Sequence, residues 1–114
     1  MIAGLKRRLA RAGLLERVDV RVAPADSLGL SDLRGKIDFA LAMAVVHETP
    51  GPSWFFGQVA ETMKAGGIVL LAEPSGHVKD TAFKAEIDAA ARVGLVVTEH
   101  PAVRHSHTAL LKKN

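Results

Sequence analysis

Hydrophobic residues recur along the chain with two periods, and the longer period predicts helices. Residues 2–13 and 79–93 place apolar side chains three or four positions apart, as does a segment that begins near Pro52. Proline suits the first position of a helix, and glycine suits the position just after one. We therefore expect three helices, with the middle one ending at Gly66-Gly67.

The shorter period and the unbroken apolar runs predict strands. Valines alternate with charged residues over 18–22, which is the pattern of a half-buried strand. Residues 37–46 and 68–72 are almost entirely apolar, which is typical of strands covered on both faces. Two further segments, 95–98 and 103–111, predict a final strand pair.

The order of these elements indicates the fold class. A helix separates the two most apolar strands, as in a parallel pair with a helical crossover. We expect residues 1–114 to form a single α/β domain, a three-layer sandwich with a parallel centre and an antiparallel C-terminal strand pair.

Composition agrees with one folded domain. Of 114 residues, 48% are hydrophobic and 24% are charged, which is too apolar for a disordered chain. No uncharged apolar run approaches the ~20 residues that cross a bilayer, so no membrane partner is expected. There is no cysteine, which excludes disulfides and thiolate metal sites. Charges within the first 13 residues interrupt the apolar core that a secretory signal needs, so we expect a cytoplasmic protein.

Positive charge is concentrated near the start of the chain. Residues 1–23 hold six basic and two acidic side chains, whereas the remainder holds nine basic and ten acidic ones. Such a cluster is compatible with nucleic-acid binding, but no aromatic stacking residue or nucleic-acid motif accompanies it. The simpler interpretation is the solvated face of a helix, and no nucleic-acid partner is expected.

Side chains that can bind or react follow three of the predicted strands. Ligands of open α/β sheets bind outside the carboxyl ends of the strands, and these ends lead to Asp26 and Ser27, to His47 and to Glu73. Each also has a structural interpretation. Asp26 suits a turn or a helix N-cap, His47 suits a loop histidine bonded to backbone, and Glu73 suits a structural carboxylate before proline.

No metal site is expected. His105 and His107 share a face of a predicted strand, but no carboxylate or thiolate there completes a set of three or four ligands.

A longer constellation covers most of the chain. Ile37–Glu48 (IDFALAMAVVHE) precedes a predicted helix, then Met63–Gly67 (MKAGG) and Ile68–Pro74 (IVLLAEP), and a strand pair follows. In this order the motifs resemble the C-terminal part of class I S-adenosylmethionine-dependent methyltransferases of the type 11 kind. Ala65 stands where that family usually has proline.

The resemblance implies S-adenosylmethionine as cofactor. Six residues match the family's cofactor contacts: Ala25, Asp26 and Ser27 on the adenine side, and Ala42, Met43 and Ala44 near the methyl-bearing end. His47 matches a position that faces the transferred methyl or the substrate, where an imidazole takes a proton from the attacking nucleophile. Glu73 would position the substrate.

One family feature has no counterpart. The Gly-rich turn after the family's first strand is missing, since no two of the ten glycines are spaced i, i+2. The resemblance therefore implies a Rossmann-like methyltransferase sheet without its first two strands, with residues 17–23 and 37–43 facing the gap. Unpaired strand edges attract other chains, so we expect a homo-oligomer or a strand-exchanged dimer.

Besides a basic nucleic-acid-binding module acting through residues 6–21, which is the less favoured interpretation, two functions remain open. The first is an S-adenosylmethionine-dependent methyltransferase, weak or inactive as this truncated chain, with an unidentified methyl acceptor. The second is a non-enzymatic assembly or partner subunit derived from the same fold.

Overall fold

The structure, a computed structural model that describes residues 2–114, contains a four-stranded mixed sheet. Its helices and strands are α1 (Ile2–Arg11), β1 (Ile37–Met43), α2 (Pro52–Thr62), β2 (Met63–Pro74), α3 (Asp80–Arg92), β3 (Leu95–Glu99) and β4 (Ser106–Lys113). The spatial order is β1-β2-β4-β3, with β1 parallel to β2 and the other pairs antiparallel. The α/β fold and the antiparallel C-terminal pair are thus confirmed.

One face of the sheet packs against α2 and α3 in a single hydrophobic core. Phe55 and Phe56 of α2 lie edge to face with ring centroids 5.2 Å apart. They join Leu71 of β2, Leu95 of β3 and Leu111 of β4, all buried. Burying apolar surface of this kind is the main favourable contribution to folding. This core fixes the edge of the sheet where the candidate site lies.

The boundary between α2 and β2 differs from the sequence prediction. The helix ends at Thr62, and Met63 is already extended, so the prediction of a helix as far as Gly66-Gly67 is wrong. Gly66 takes a φ of 80° inside β2. A Cβ on Gly67 would lie 2.9 Å from the Lys64 carbonyl oxygen and 3.2 Å from that of Asp38. Gly66 therefore supplies a left-handed residue within β2, and Gly67 permits the close approach of β1; neither caps a helix.

The opposite face of the sheet is open along β1. Phe39, Leu41 and Met43 are 55%, 56% and 54% exposed, and they pair in register with Ile68, Leu70 and Ala72 of β2. Helix α1 has no buried residue. The helical layer expected on this face of a three-layer sandwich is therefore not filled within residues 2–114.

The strand predicted over 18–22 is not formed. Val18 and Val22 are exposed, and the segment is extended without a ladder partner. Arg21 instead bonds Asp19 through Nε and Asp32 through both terminal nitrogens, each at 2.8 Å. The prediction is wrong because an alternating pattern needs a neighbouring strand to pair with, and none lies beside this segment.

Among the described residues, no helix combines the length and the apolar character that crossing a membrane requires.

Candidate active site

The candidate site begins where β1 ends. Ala44 takes a φ of 54°, in the left-handed region, and its N–H donates to the Ala72 carbonyl at 2.8 Å. A short 3₁₀ turn, Val46–Glu48, follows. Val46 is buried in the core, and this places His47 at the rim of the sheet. Non-glycine residues with positive φ are uncommon and cluster at functional sites.

His47 and Glu73 meet at this rim. Nδ1 of His47 lies 3.0 Å from Oε2 of Glu73, whose side chain is fully buried, while the imidazole is 29% exposed. An ionised carboxylate only accepts hydrogen bonds, so beside an ionised Glu73 the Nδ1–H donates, and a neutral His47 keeps a lone pair at Nε2. On the exposed side, Nε2 is 3.9 Å from Oε1 of Glu48. The structure thus brings together the two residues that the sequence predicted at the ends of neighbouring strands.

A second buried carboxyl, Glu86 of α3, was missed by the sequence analysis. It is 3% exposed, and Oε1 of its carboxyl is buried without a hydrogen-bond partner, as is Oε1 of Glu73. Burial, the charge of Glu73 and a hydrogen bond to Glu73 raise the pKa of Glu86 to about 8. A signal existed in the sequence, because Glu86 falls on the same helix stripe as Phe83 and Ala90, both buried.

A cavity of about 290 Å³ opens beside these groups. It is lined by residues of the 3₁₀ turn, the start of α2, the turn after β2 and α3: Val46, His47, Thr49, Gly51, Pro52, His77, Val78, Ala82, Ala85 and Glu86. The walls are mostly apolar, with two imidazoles and one carboxyl as the titratable groups. Such a cavity suits a small substrate that presents one polar group to His47.

The residues matched to the adenine side lie in a turn ahead of β1. Ala25 and Asp26 are exposed, and Ser27 accepts a hydrogen bond from the Gly29 N–H at 3.1 Å. No helix follows Asp26 directly, so its turn interpretation fits the structure and its N-cap interpretation does not. Ser27 lines a separate cavity of about 350 Å³, away from the one that His47 lines.

The residues matched to the methionine side divide between core and rim. Ala42 is 4% exposed and belongs to the core, whereas Met43 and Ala44 are exposed at the end of β1. The exposed pair leaves this end of the strand accessible to a ligand. Of the six predicted cofactor contacts, only Ser27 lines either of these two cavities.

The histidines near β4 are bonded to backbone. Nε2 of His107 lies 2.8 Å from the Val78 carbonyl, and Nδ1 of His100 lies 2.7 Å from that of Thr108. Within residues 2–114, no three histidine, aspartate or glutamate side chains are grouped as metal ligands.

Comparison with known proteins supports the fold. No family model matches the sequence, and neither does any curated protein. A SAM-dependent methyltransferase from Aquifex aeolicus superposes with a TM-score of 0.76 at 14% identity, over 95% of this chain and 61% of that one. The [4+2]-cyclase SpnF superposes with a TM-score of 0.70 at 16% identity, over 94% and 60%. This chain therefore has a methyltransferase-like fold and spans about three fifths of either structure.

Proposed function

We propose that this chain is the substrate-facing part of an S-adenosylmethionine-dependent methyltransferase, in which His47 meets the methyl acceptor. One observation carries the proposal: the hydrogen-bonded pair His47–Glu73 lies at the carboxyl ends of two parallel strands in a methyltransferase-like fold. Ligands of open α/β sheets bind at such strand ends.

Some of the residues matched to the implied cofactor carry groups that suit it. The exposed carboxylate of Asp26 would accept a hydrogen bond from the adenine amino group, with Ser27 beside it. The exposed backbone at Met43 and Ala44 would contact the methionine end. When bound, S-adenosylmethionine supplies a methyl group on a sulfonium, which is an excellent leaving group.

The chain's own residues would align the acceptor and take its proton. Glu73 holds Nδ1 of His47 and so directs Nε2 outward, where it accepts a proton from an attacking oxygen or nitrogen. The cavity beside His47 would hold the acceptor in line. Alignment of this kind contributes roughly 7–11 kcal/mol in favourable cases, more than a single proton transfer does.

The absence of a Gly-rich turn limits the expected strength of binding. That turn would hold the methionine end, and this chain has no glycines at its spacing. We therefore expect weak cofactor binding by the 114 residues alone, or binding completed by a second chain.

Calorimetric titration of S-adenosylhomocysteine into the purified chain tests the proposal. We expect saturable binding that Asp26→Ala abolishes and that Asp88→Ala leaves intact, because Asp88 is an equally exposed aspartate on α3. Absence of heat up to millimolar ligand, with the chain folded, would exclude cofactor binding by this polypeptide. Equal losses in both variants would exclude the assigned role of Asp26.

A second candidate function is assembly through β1. This strand has a neighbour on one side only, and its outer face exposes Phe39, Leu41 and Met43. Free edges and apolar faces favour association, and a second copy of this chain supplies an identical edge. In this alternative the fold serves as a subunit without catalysis, as a homo-oligomer or a strand-exchanged dimer.

Sedimentation equilibrium tests the assembly candidate by measuring the oligomeric state. For assembly, we expect a concentration-dependent dimer that Leu41→Lys converts to a monomer. Val22→Lys is the matched control, because Val22 is 78% exposed and lies outside the sheet. A monomer at all concentrations in the unmodified chain would exclude self-assembly.

A further inference from the structure

We propose that Glu86 is a positioning residue of the candidate site, which donates a hydrogen bond from its carboxyl O–H to Glu73 and thereby keeps Glu73 as the acceptor that orients His47. This inference rests on the proposed function, because it assigns His47 as the base. It concerns a residue that neither the sequence motifs nor the fold comparison assign.

The first support is the burial of two carboxyl groups side by side. Glu73 is 0% exposed and Glu86 is 3% exposed. Oε1 of Glu73 and Oε1 of Glu86 are both buried without a hydrogen-bond partner. Two ionised carboxylates are acceptors only, so neither could satisfy the other. A single proton turns one of them into a donor and satisfies both.

The second support is that the proton of the Glu73–Glu86 pair resides on Glu86. Burial is the largest cause that raises the pKa of Glu86 to about 8, followed by the charge of Glu73 and a hydrogen bond to Glu73. Glu86 therefore holds the proton at neutral pH. Glu73 accepts from Glu86, and its Oε2 accepts from Nδ1 of His47. Above about pH 8 the proton leaves to solvent and Glu86 ionises, so the donor to Glu73 is lost.

No lysine or arginine lines the cavity beside this pair. His47 approaches from the 3₁₀ turn, and His77 lines the same cavity from the turn after β2. From β4, His107 pairs in register with Glu73, but its ring nitrogens lie 2.8 Å from the Val78 carbonyl and 3.4 Å from Asp80. The cavity lining contains no other charged residue. Because Glu86 keeps its proton, the buried pair of carboxyl groups carries one negative charge and not two.

The consequence concerns the tautomer of His47. With Glu86 as donor, Glu73 stays an acceptor, Nδ1 of His47 carries the ring proton and Nε2 is free to act as base. Without a donor at position 86, Oε1 of Glu73 is left unpaired in the core. Glu73 is then no longer held as the acceptor of Nδ1.

Nuclear magnetic resonance of the free protein tests this directly. Histidine ring correlations report the tautomer of His47, and carboxyl carbon shifts report the titration of the glutamates. In the unmodified chain we expect His47 as the Nδ1–H tautomer and one glutamate transition near pH 8. Glu86→Gln keeps a donor, so the tautomer should persist and the transition should be lost. Glu86→Leu removes the donor, so the Nδ1–H signature should be lost as well.

Glu48→Gln is the control, because Glu48 is an exposed carboxylate 3.9 Å from the same imidazole and should change neither signal. A transition near pH 8 that survives in Glu86→Gln would overturn the proposal, as would an unchanged tautomer in folded Glu86→Leu. If Glu86→Leu does not fold, the transition in Glu86→Gln decides alone. These measurements need neither cofactor nor acceptor, so their outcome is independent of whether methyl transfer is found.

Discussion

The two faces of the sheet both carry large apolar side chains, and these differ in how far they are buried. On the covered face, Leu71 and Leu111 are 0% exposed beneath α2 and α3. On the open face, Phe39, Leu41 and Met43 are each more than half exposed. An apolar pattern thus indicates that a surface suits burial, but it does not specify which element covers it.

The two faces of the sheet therefore contribute differently to stability and to assembly. The covered face binds its own helices and holds the fold together, whereas the open face retains the capacity to bind something else. A natural monomer rarely exposes a large contiguous apolar patch. Four predictions test this division, in order of decreasing effect on the free energy of unfolding.

The largest effect is expected on the covered face. Leu71→Ala should lower the free energy of unfolding by about 2–5 kcal/mol, since it removes a fully buried side chain and leaves a cavity. Leu41→Ala on the same sheet should cost less than about 1 kcal/mol, because Leu41 is 56% exposed. Urea denaturation of both variants gives the comparison. Equal losses would show that the open face is covered in solution.

The next effect is expected at Gly67, where β2 lies close to β1. Gly67→Ala should destabilise the protein by about 1–3 kcal/mol, because the added Cβ would lie 2.9 Å from the Lys64 carbonyl oxygen. Gly57→Ala in α2 meets no atom within 4 Å and should stabilise by up to about 1 kcal/mol through helix propensity. Thermal unfolding monitored by circular dichroism should shift in opposite directions for the two variants. A shift in the same direction would contradict this account of the β1–β2 approach.

A third effect is the pH dependence contributed by the covered face. The folded pKa of Glu86, about 8, lies above its ordinary value of 4.5, so the folded state binds the extra proton. Its stabilising contribution is complete below about pH 4.5 and is lost as pH rises toward 8. Between pH 5 and 8 the free energy of unfolding should therefore fall, and Glu86→Gln should reduce this fall. Urea denaturation from pH 5 to 8 measures the free energy of unfolding of the unmodified chain and of Glu86→Gln. The same dependence on pH in both proteins would contradict the raised pKa of Glu86.

The smallest effect is expected at the far side of the open face. Val96 of β3 is 42% exposed and pairs in register with Lys112 of β4. Val96→Thr should change the free energy of unfolding by less than about 0.5 kcal/mol at every protein concentration. A larger loss that grows with concentration would place Val96 in an interface between copies.

Sequence reasoning predicted the elements whose partners lie within the chain. The two most apolar runs became the parallel strands β1 and β2, and Pro52 opens α2 as expected. The prediction was wrong for 18–22 because its alternating pattern has no neighbouring strand to pair with. It was also wrong at Gly66-Gly67, because a glycine pair serves a helix cap and a close strand approach equally well.

The candidate site was predictable only in part, for a related reason. His47 and Glu73 follow the ends of neighbouring parallel strands, and the rule for strand ends therefore selects them. Glu86 lies on the buried stripe of α3, so the helical pattern could have predicted its burial. Its approach to Glu73 depends on how α3 packs on the sheet, which no local pattern encodes. The assigned roles of residues 25–27 and 42–44 in cofactor binding stay predictions until ligand binding is measured.

The position of β4 has a consequence for how the protein is made. Strands β2 and β3 do not touch each other in the ladder, because β4, the last strand in sequence, lies between them. During synthesis, β1, β2, α2 and α3 leave the ribosome before the strand that joins the two halves of the sheet exists. The edge of β2 therefore stays available to improper partners until residues 106–113 emerge. This topology therefore delays completion of the sheet until both strands of the β3–β4 pair have been synthesised.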